Sequence, residues 1–469
     1  MTELAVSADE LSKSLEQKEA ILILDLRKKE QFAQGHIATS ANVAADSPQQ
    51  KQTILSKVPA AFKIILVDDG SGEAEQYAQA MARFGFRVQF LKGGITEWKS
   101  ELIKSTQDAI ISNDNLYESI KSNKDVFLLD VREPMEFAEH KIPGAVNIPL
   151  GEIFMPGLKE KLPKDKKIVT VCSHGNRSMV AMFALAQKGI EASSLIGGMS
   201  QWNQVLNPTL AVKDGDLIII QVEKVGKGCL SHIIGSSGEA AVIDPTYPAE
   251  KYIEFAKNHD LKITGVIDTH QHADHVSAAR ELAIKTGAKL YFSAKEEYKI
   301  ESERLDDGAK LQLGSKQIKV ISTPGHTAGS MTYVIDDKYV FSGDILFIES
   351  IGRPDLRDNA EEFANALYDT IHNKILTLPN DAKIFPTHHG EGVEPTRNGI
   401  YYTTPEMAKN LPILDLVKEE FVKKVVSTTN PRPMNYGMII KVNKGTIPPN
   451  PMMIPELEMG PNRCSVSPN

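Results

Sequence analysis

Cysteine is scarce in this chain, with three in 469 residues, at Cys172, Cys229 and Cys464. So few exclude a disulfide framework, and any cysteine with a chemical role acts alone. Basic charge is also short: 53 Lys and Arg stand against 61 Asp and Glu, and the net charge of -8 leaves no positive field to draw nucleic acid or anionic lipid. No apolar run reaches the length of a membrane span, and the opening MTELAVSADELSKSLEQKEA mixes acids with bases where a leader segment has an apolar core. A cytoplasmic location, with no nucleic-acid or membrane partner, is expected. What is present is the composition of an ordinary folded protein, 41% apolar and 24% charged. A chain of 469 residues is too long for one core and, at about 150 residues per domain, suggests about three.

An internal repeat organises the first part. ILDLRKKEQFAQGHIATSANV answers LLDVREPMEFAEHKIPGAVNI, and FLKGGITEW answers SLIGGMSQW. Each copy reads as a strand ending in Asp-x-Arg, a helix, a buried strand (KIILVDD, KIVTVCS) and another helix. That alternation predicts a parallel α/β sheet in each copy, within residues 1-105 and 106-208. Asp25, Arg27, Asp130 and Arg132 recur at matching strand ends and are expected as structural ion pairs or caps. After Trp202, NPTLAVKDGD reads as a linker. A third domain, 209-469, follows with closely spaced strands (LIIIQV, LSHIIG, AAVID), helices (EKYIEFAKNHD, SAARELAIKTG) and a strand ending in an acid, KYVFSGD. The acidic run KEEYKIESERLDDG is expected to be a solvated helix face, and the tail after Pro448 irregular packing.

IVTVCSHGNRSMVAMFALAQKG places Cys172 at the end of a buried strand, before a short loop with Gly175 and a helix opening at Ser178. Loop N–H groups, the helix dipole and Arg177 together favour negative charge on such a sulfur. Cys-x-x-x-x-Arg in this setting, beside LLDVREPMEF and HKIPGAVNIP, resembles the rhodanese family. The resemblance implies a persulfide carried on Cys172, with Arg177 as its catalytic partner and His174, Gly175 and Asn176 contacting the donor. In the first copy, setting Trp98 against Trp202 places Asp68 at the cysteine and Glu73 at the arginine. A carboxylate cannot take up sulfane sulfur, so that copy is expected to be inactive.

GVIDTHQHADHVSAAR groups His270, His272, Asp274 and His275 after a strand, and His326, Asp344 and His388 recur later. Imidazoles and carboxylates suit zinc, iron or manganese. His389 leaves the last position ambiguous by one residue, with His388 preferred because it follows KIFPT. The set resembles the metallo-β-lactamase superfamily and implies an αββα fold from about Leu217 onward. FSGDILFIESIGRPDLR, around Asp344, resembles the persulfide dioxygenases. That resemblance implies Fe(2+) on His270, His326 and Asp344, and Arg353 facing substrate. His272, Asp274, His275 and His388 then either orient the ligands or hold a second metal.

The resemblances imply oxidation of a small-thiol persulfide by O2 to sulfite, joined to sulfur transfer among persulfide, sulfite and thiosulfate, in a dimer or tetramer. One alternative is a thioester hydrolase of glyoxalase II type carrying one or two Zn(2+). Another treats the rhodanese units as binding modules only. Cys229 reads as a packed strand residue and Cys464 as an exposed residue of a polar tail.

Overall fold

The structure is a computed structural model and describes every residue except 1-3, 18, 20, 44-47, 57, 59-61, 105-109, 355-358, 391, 429-431, 433-434 and 467-469. The chain divides into two compact units, Met1–Trp202 and Asn203–Asn469.

The first unit contains both copies of the repeat, each built on a five-stranded parallel sheet with the same strand order. Across the first sheet run Ala5–Val6, Val88–Leu91, Lys63–Val67, Ile21–Asp25 and Ala41–Asn42. Ile110–Ile111, Ala192–Leu195, Lys167–Val171, Val126–Asp130 and Val146–Asn147 follow the same order in the second. Ile21–Asp25 is buried at every residue, as expected for a parallel strand covered on both faces. Leu22, Leu24 and Leu66 share one apolar cluster with Met179, Met182 and Phe183 of the second copy.

The Asp-x-Arg elements are structural, as the sequence suggested. Arg27 meets Asp25 at 2.6 Å and Arg132 meets Asp130 at 2.7 Å, all four side chains buried. Each arginine also donates to a carbonyl eight residues on, Gly35 or His140. Removing one member of such a buried pair typically costs about 3–5 kcal/mol, because the other charge is left uncompensated.

The second unit packs a seven-stranded sheet against a five-stranded one. Ile219, Ile234 and Ala241 of the first sheet meet Tyr333, Phe341 and Phe385 of the second between the layers. Helices Ala249–Lys257 and Ala279–Thr286 cover the outer face of the larger sheet. Ala360–Thr370 and Lys418–Ser427 cover the smaller one, giving the αββα layering.

Two local readings are corrected. The supposed linker is the edge strand Leu206–Asp214, antiparallel to Leu217–Lys224 through a turn at Gly215. Its outward residues are solvated and it carries Pro208, which an edge tolerates, so its pattern resembles a loop. The acidic run contains the edge strand Glu303–Leu305 in place of a helix, paired parallel with Lys289–Ser293. Charged side chains are a common guard on exposed sheet edges. Among the described residues no helix is long and apolar enough to cross a membrane.

Candidate functional site

In the first unit, strand Lys167–Val171 delivers Cys172 into a loop closed by helix Asn176–Gln187, which opens two residues before the expected Ser178. Gly175 caps that helix with φ 90°, a left-handed conformation that suits glycine, and its N–H donates to Cys172 Sγ at 3.1 Å. Ser178 Oγ lies 3.6 Å from the sulfur. The paired glycines of SLIGGMSQW form the floor of the loop. Gly198 has φ 57°, and a Cβ there would stand 2.1 Å from the Cys172 carbonyl oxygen. Arg177 pairs with Glu136 through two hydrogen bonds of 2.7 Å and also donates to Ser173 Oγ. The Arg177 guanidinium lowers the Glu136 carboxyl to about 2. His174 and Asn176 are exposed beside the buried cysteine.

The first copy fills the same loop with its own carboxylate. Asp68 accepts from Gly70 N–H at 2.9 Å and Ala74 N–H at 3.0 Å, and Glu73 pairs with Lys51 at 2.7 Å. The loop N–H groups that in the second copy face a sulfur here face a carboxylate.

In the second unit, strand Lys262–Ile267 ends in a buried loop carrying His270, His272, Asp274 and His275. His326 follows strand Lys316–Ser322, Asp344 follows Tyr339–Gly343, and His388 follows Lys383–Pro386. Asp344 Oδ2 stands 3.7 Å from His270 Nε2 and 3.5 Å from His326 Nε2. Among the described residues none of these three atoms has a hydrogen-bond partner, although all are buried. Three orphaned donor atoms converging on one point fit a divalent metal.

The surrounding groups set the ring tautomers. His326 Nδ1 donates to the Arg353 carbonyl at 2.8 Å, leaving Nε2 as a lone pair. Thr269 Oγ1 gives its proton to Asp244 at 2.9 Å and so accepts from His270 Nδ1, also at 2.9 Å. Burial depresses both rings' basicity, aided at His270 by His272, and keeps them neutral as ligands must be. Burial works to raise Asp344, but His388 and His270 outweigh it and hold the carboxyl well below the usual range.

The other predicted residues surround this triad. His388 places Nδ1 2.7 Å from Asp344 Oδ1 and Nε2 3.0 Å from Asp274 Oδ2. His275 Nδ1 lies 3.0 Å from Asp274, and His272 Nε2 lies 3.0 Å from Asp244. His389 is outside the cluster, stacked on Tyr401 and paired with Glu223. Arg353 is buried, and its Nη1 donates to the Arg463 carbonyl at 3.1 Å. Gly352 is fixed by close approach, since a Cβ there would stand 1.7 Å from the Asp344 carbonyl oxygen. Asp355 and Leu356 of the Gly-Arg-x-Asp-Leu element lie outside the described residues.

Sequence reasoning missed two cysteines here. Cys229 is a buried strand residue, as read, but its Sγ sits 3.6 Å from Asp274 and groups with His275 and His388. Cys464 is buried, not exposed, and groups with Asp344 and His388. Asp244 and Thr269 were missed as well, because their roles depend on contacts between separate strands.

The family description "Rhodanese-like domain" matches residues 7–101 and 112–205, and "Metallo-beta-lactamase superfamily" matches 226–389. The mitochondrial persulfide dioxygenase ETHE1 of Bos taurus is 31% identical over 228 residues, covering 46% of this chain and 84% of that protein. A hydroxyacylglutathione hydrolase of Vibrio cholerae is 29% identical over 208 residues, covering 41% and 79%. The crystal structure of ETHE1 from Myxococcus xanthus aligns with a TM-score of 0.43 at 25% identity, over 52% of this chain and 99% of that one.

Proposed function

Because the chain belongs to the family of the ETHE1 persulfide dioxygenases and carries two rhodanese-like domains besides, we propose that it oxidises a low-molecular-weight persulfide to sulfite and transfers sulfane sulfur. The division of labour follows the chain: an inactive rhodanese-like domain in 1-105, an active one in 106-208 and the oxidising metal domain in 209-469. The balanced reaction consumes one persulfide, one O2 and one water and releases one thiol, one sulfite and two protons. The observation that carries this reading is the orphaned triad of His270 Nε2, His326 Nε2 and Asp344 Oδ2.

Iron(II) bound there would supply open positions for substrate and a redox path by which the sulfur's electrons reach dioxygen. The chain's own residues hold the site ready for it. Thr269 and the Arg353 carbonyl fix the two imidazoles, and His388 fixes Asp344 through its second oxygen. Burial of the whole set excludes bulk water. Arg353, in the loop that orients His326, is the group assigned to substrate. In the rhodanese domain, the Cys172 thiolate attacks the outer sulfur of a persulfide, the S–S bond breaks and a thiolate leaves. Sulfite then takes that sulfur as thiosulfate and frees the cysteine. Gly175 N–H stabilises charge on the sulfur, with His174, Asn176 and Arg177 at the donor side.

A zinc thioester hydrolase is the competing reading, favoured by the hydroxyacylglutathione hydrolase relative. The residues for a second metal are also at hand, since Cys229, Asp274, His275 and His388 group together, so the number and kind of metal decide between the readings. Metal analysis of anaerobically purified protein tests the proposal. About one iron per chain, lost in His270→Ala and Asp344→Ala, is expected, and two zinc ions per chain would overturn it.

A further inference from the structure

The last stretch of the metal unit supplies no atom of the His270, His326 and Asp344 triad, yet it holds the loop that carries four of the candidate residues. Residues 268-277 form no helix and only isolated bridging contacts, so the polar groups of their buried backbone need partners from elsewhere. Asn443, the final residue of helix Tyr436–Asn443, supplies three of them. Its Nδ2 donates to the carbonyls of His272 at 3.0 Å and His275 at 2.8 Å, and its Oδ1 accepts from Ser277 N–H at 2.9 Å. Between those contacts, Val276 N–H donates to Glu458 Oε1 at 2.8 Å. The other oxygen of Glu458 pairs with Lys224 and accepts from Gln204, and both members of the ion pair are fully buried.

A buried ion pair is weak evidence for stability, because the cost of desolvating two charges offsets most of their attraction. Its effect here is geometric: Lys224, the last residue of strand Leu217–Lys224, fixes where Glu458 can sit, and Glu458 fixes Val276, next to His275. The same tail reaches the opposite wall of the site. Arg353 N–H donates to the Cys464 carbonyl at 3.0 Å, and the Arg353 carbonyl in turn orients His326.

We infer that Asn443 and Glu458 are positioning residues of the metal site, and that the segment running from Asn443 to Cys464 clamps the backbone on both sides of the triad. The inference rests on the metal reading of His270, His326 and Asp344. Asn443→Asp keeps the acceptor for Ser277 but loses the donor shared by two loop carbonyls. Glu458→Gln keeps an acceptor for Val276 but loses the charge that anchors it to Lys224. Ile439→Ala serves as the comparison, because Ile439 is buried in the same helix and makes none of the loop contacts described.

The test uses the full chain loaded with Co(II), reading the visible d–d spectrum and the affinity by chelator competition. Asn443→Asp and Glu458→Gln are expected to change the spectrum and weaken affinity by about tenfold or more, as loss of groups that orient ligands commonly does. Ile439→Ala is expected to lower thermal stability while leaving both readings within about twofold of wild type, below that range. Wild-type readings in Asn443→Asp and Glu458→Gln overturn the inference, and so does an equal change in Ile439→Ala. If Asn443→Asp does not fold, Glu458→Gln decides by the same readings. A wild-type chain that takes up no Co(II) overturns the metal reading itself and the inference with it.

Discussion

The His388 ring lies between two carboxylates, 2.7 Å from Asp344 on one edge and 3.0 Å from Asp274 on the other. Asp344 is thereby turned so that its second oxygen faces His270 and His326. On the proposed reading, His388 acts through Asp344 and leaves the metal to the other three. His388→Gln is expected to keep metal binding at one per chain while weakening affinity by about 10–100-fold. Titration with metal under anaerobic conditions measures it. Unchanged affinity would remove His388 from that role.

Asp68 and Cys172 mark the difference between the two rhodanese-like domains. Cys172→Ser is expected to abolish sulfur transfer from a persulfide to sulfite while oxygen uptake continues. Asp68→Ala should leave both activities unchanged, because that carboxylate serves only its own loop. Transfer retained in Cys172→Ser, followed as thiosulfate formation, would contradict the assignment.

Gly94 and Gly198 give a paired test of the same difference. Both have positive φ, and a Cβ at either would press on the preceding loop, against the Asp68 backbone or the Cys172 carbonyl. Each alanine substitution is expected to cost at least about 1–3 kcal/mol in thermal or denaturant unfolding, the usual scale of such backbone strain. Only Gly198→Ala should also impair sulfur transfer. Equal loss of transfer in Gly94→Ala would mean that the first domain takes part in the reaction.

The Glu136–Arg177 pair predicts a pH dependence. Arg177 lowers the Glu136 carboxyl from 4.5 to about 2, so the folded state binds this proton less readily than the unfolded chain does. The contribution is therefore fully present above pH 4.5 and fades as pH falls toward 2. The difference in denaturant midpoint between wild type and Glu136→Gln should shrink over that window. A difference that stays constant throughout would show that the pair does not couple to folding.

The sequence made the repeat, the cysteine loop and the histidine cluster legible because each is a local string whose spacing is its geometry. His270, His326 and Asp344 lie close together, each on the stretch that follows a strand. Cys229, Cys464, Asn443 and Glu458 were not legible, since each acts on a loop distant in sequence and none sits in a motif. Edge strands misled for a physical reason. Leu206–Asp214 and Glu303–Leu305 are partly solvated, so their polar residues imitate a linker and a helix face.

Oxygen uptake on the anaerobically prepared, iron-loaded chain, supplied with glutathione persulfide and run beside lactoylglutathione hydrolysis, tests the central claim most directly. The account predicts one O2 consumed and one sulfite formed per persulfide, with no thioester hydrolysis, and loss of uptake in Asp344→Ala. Thioester hydrolysis by a zinc-loaded chain with no oxygen uptake in any metal form would contradict it.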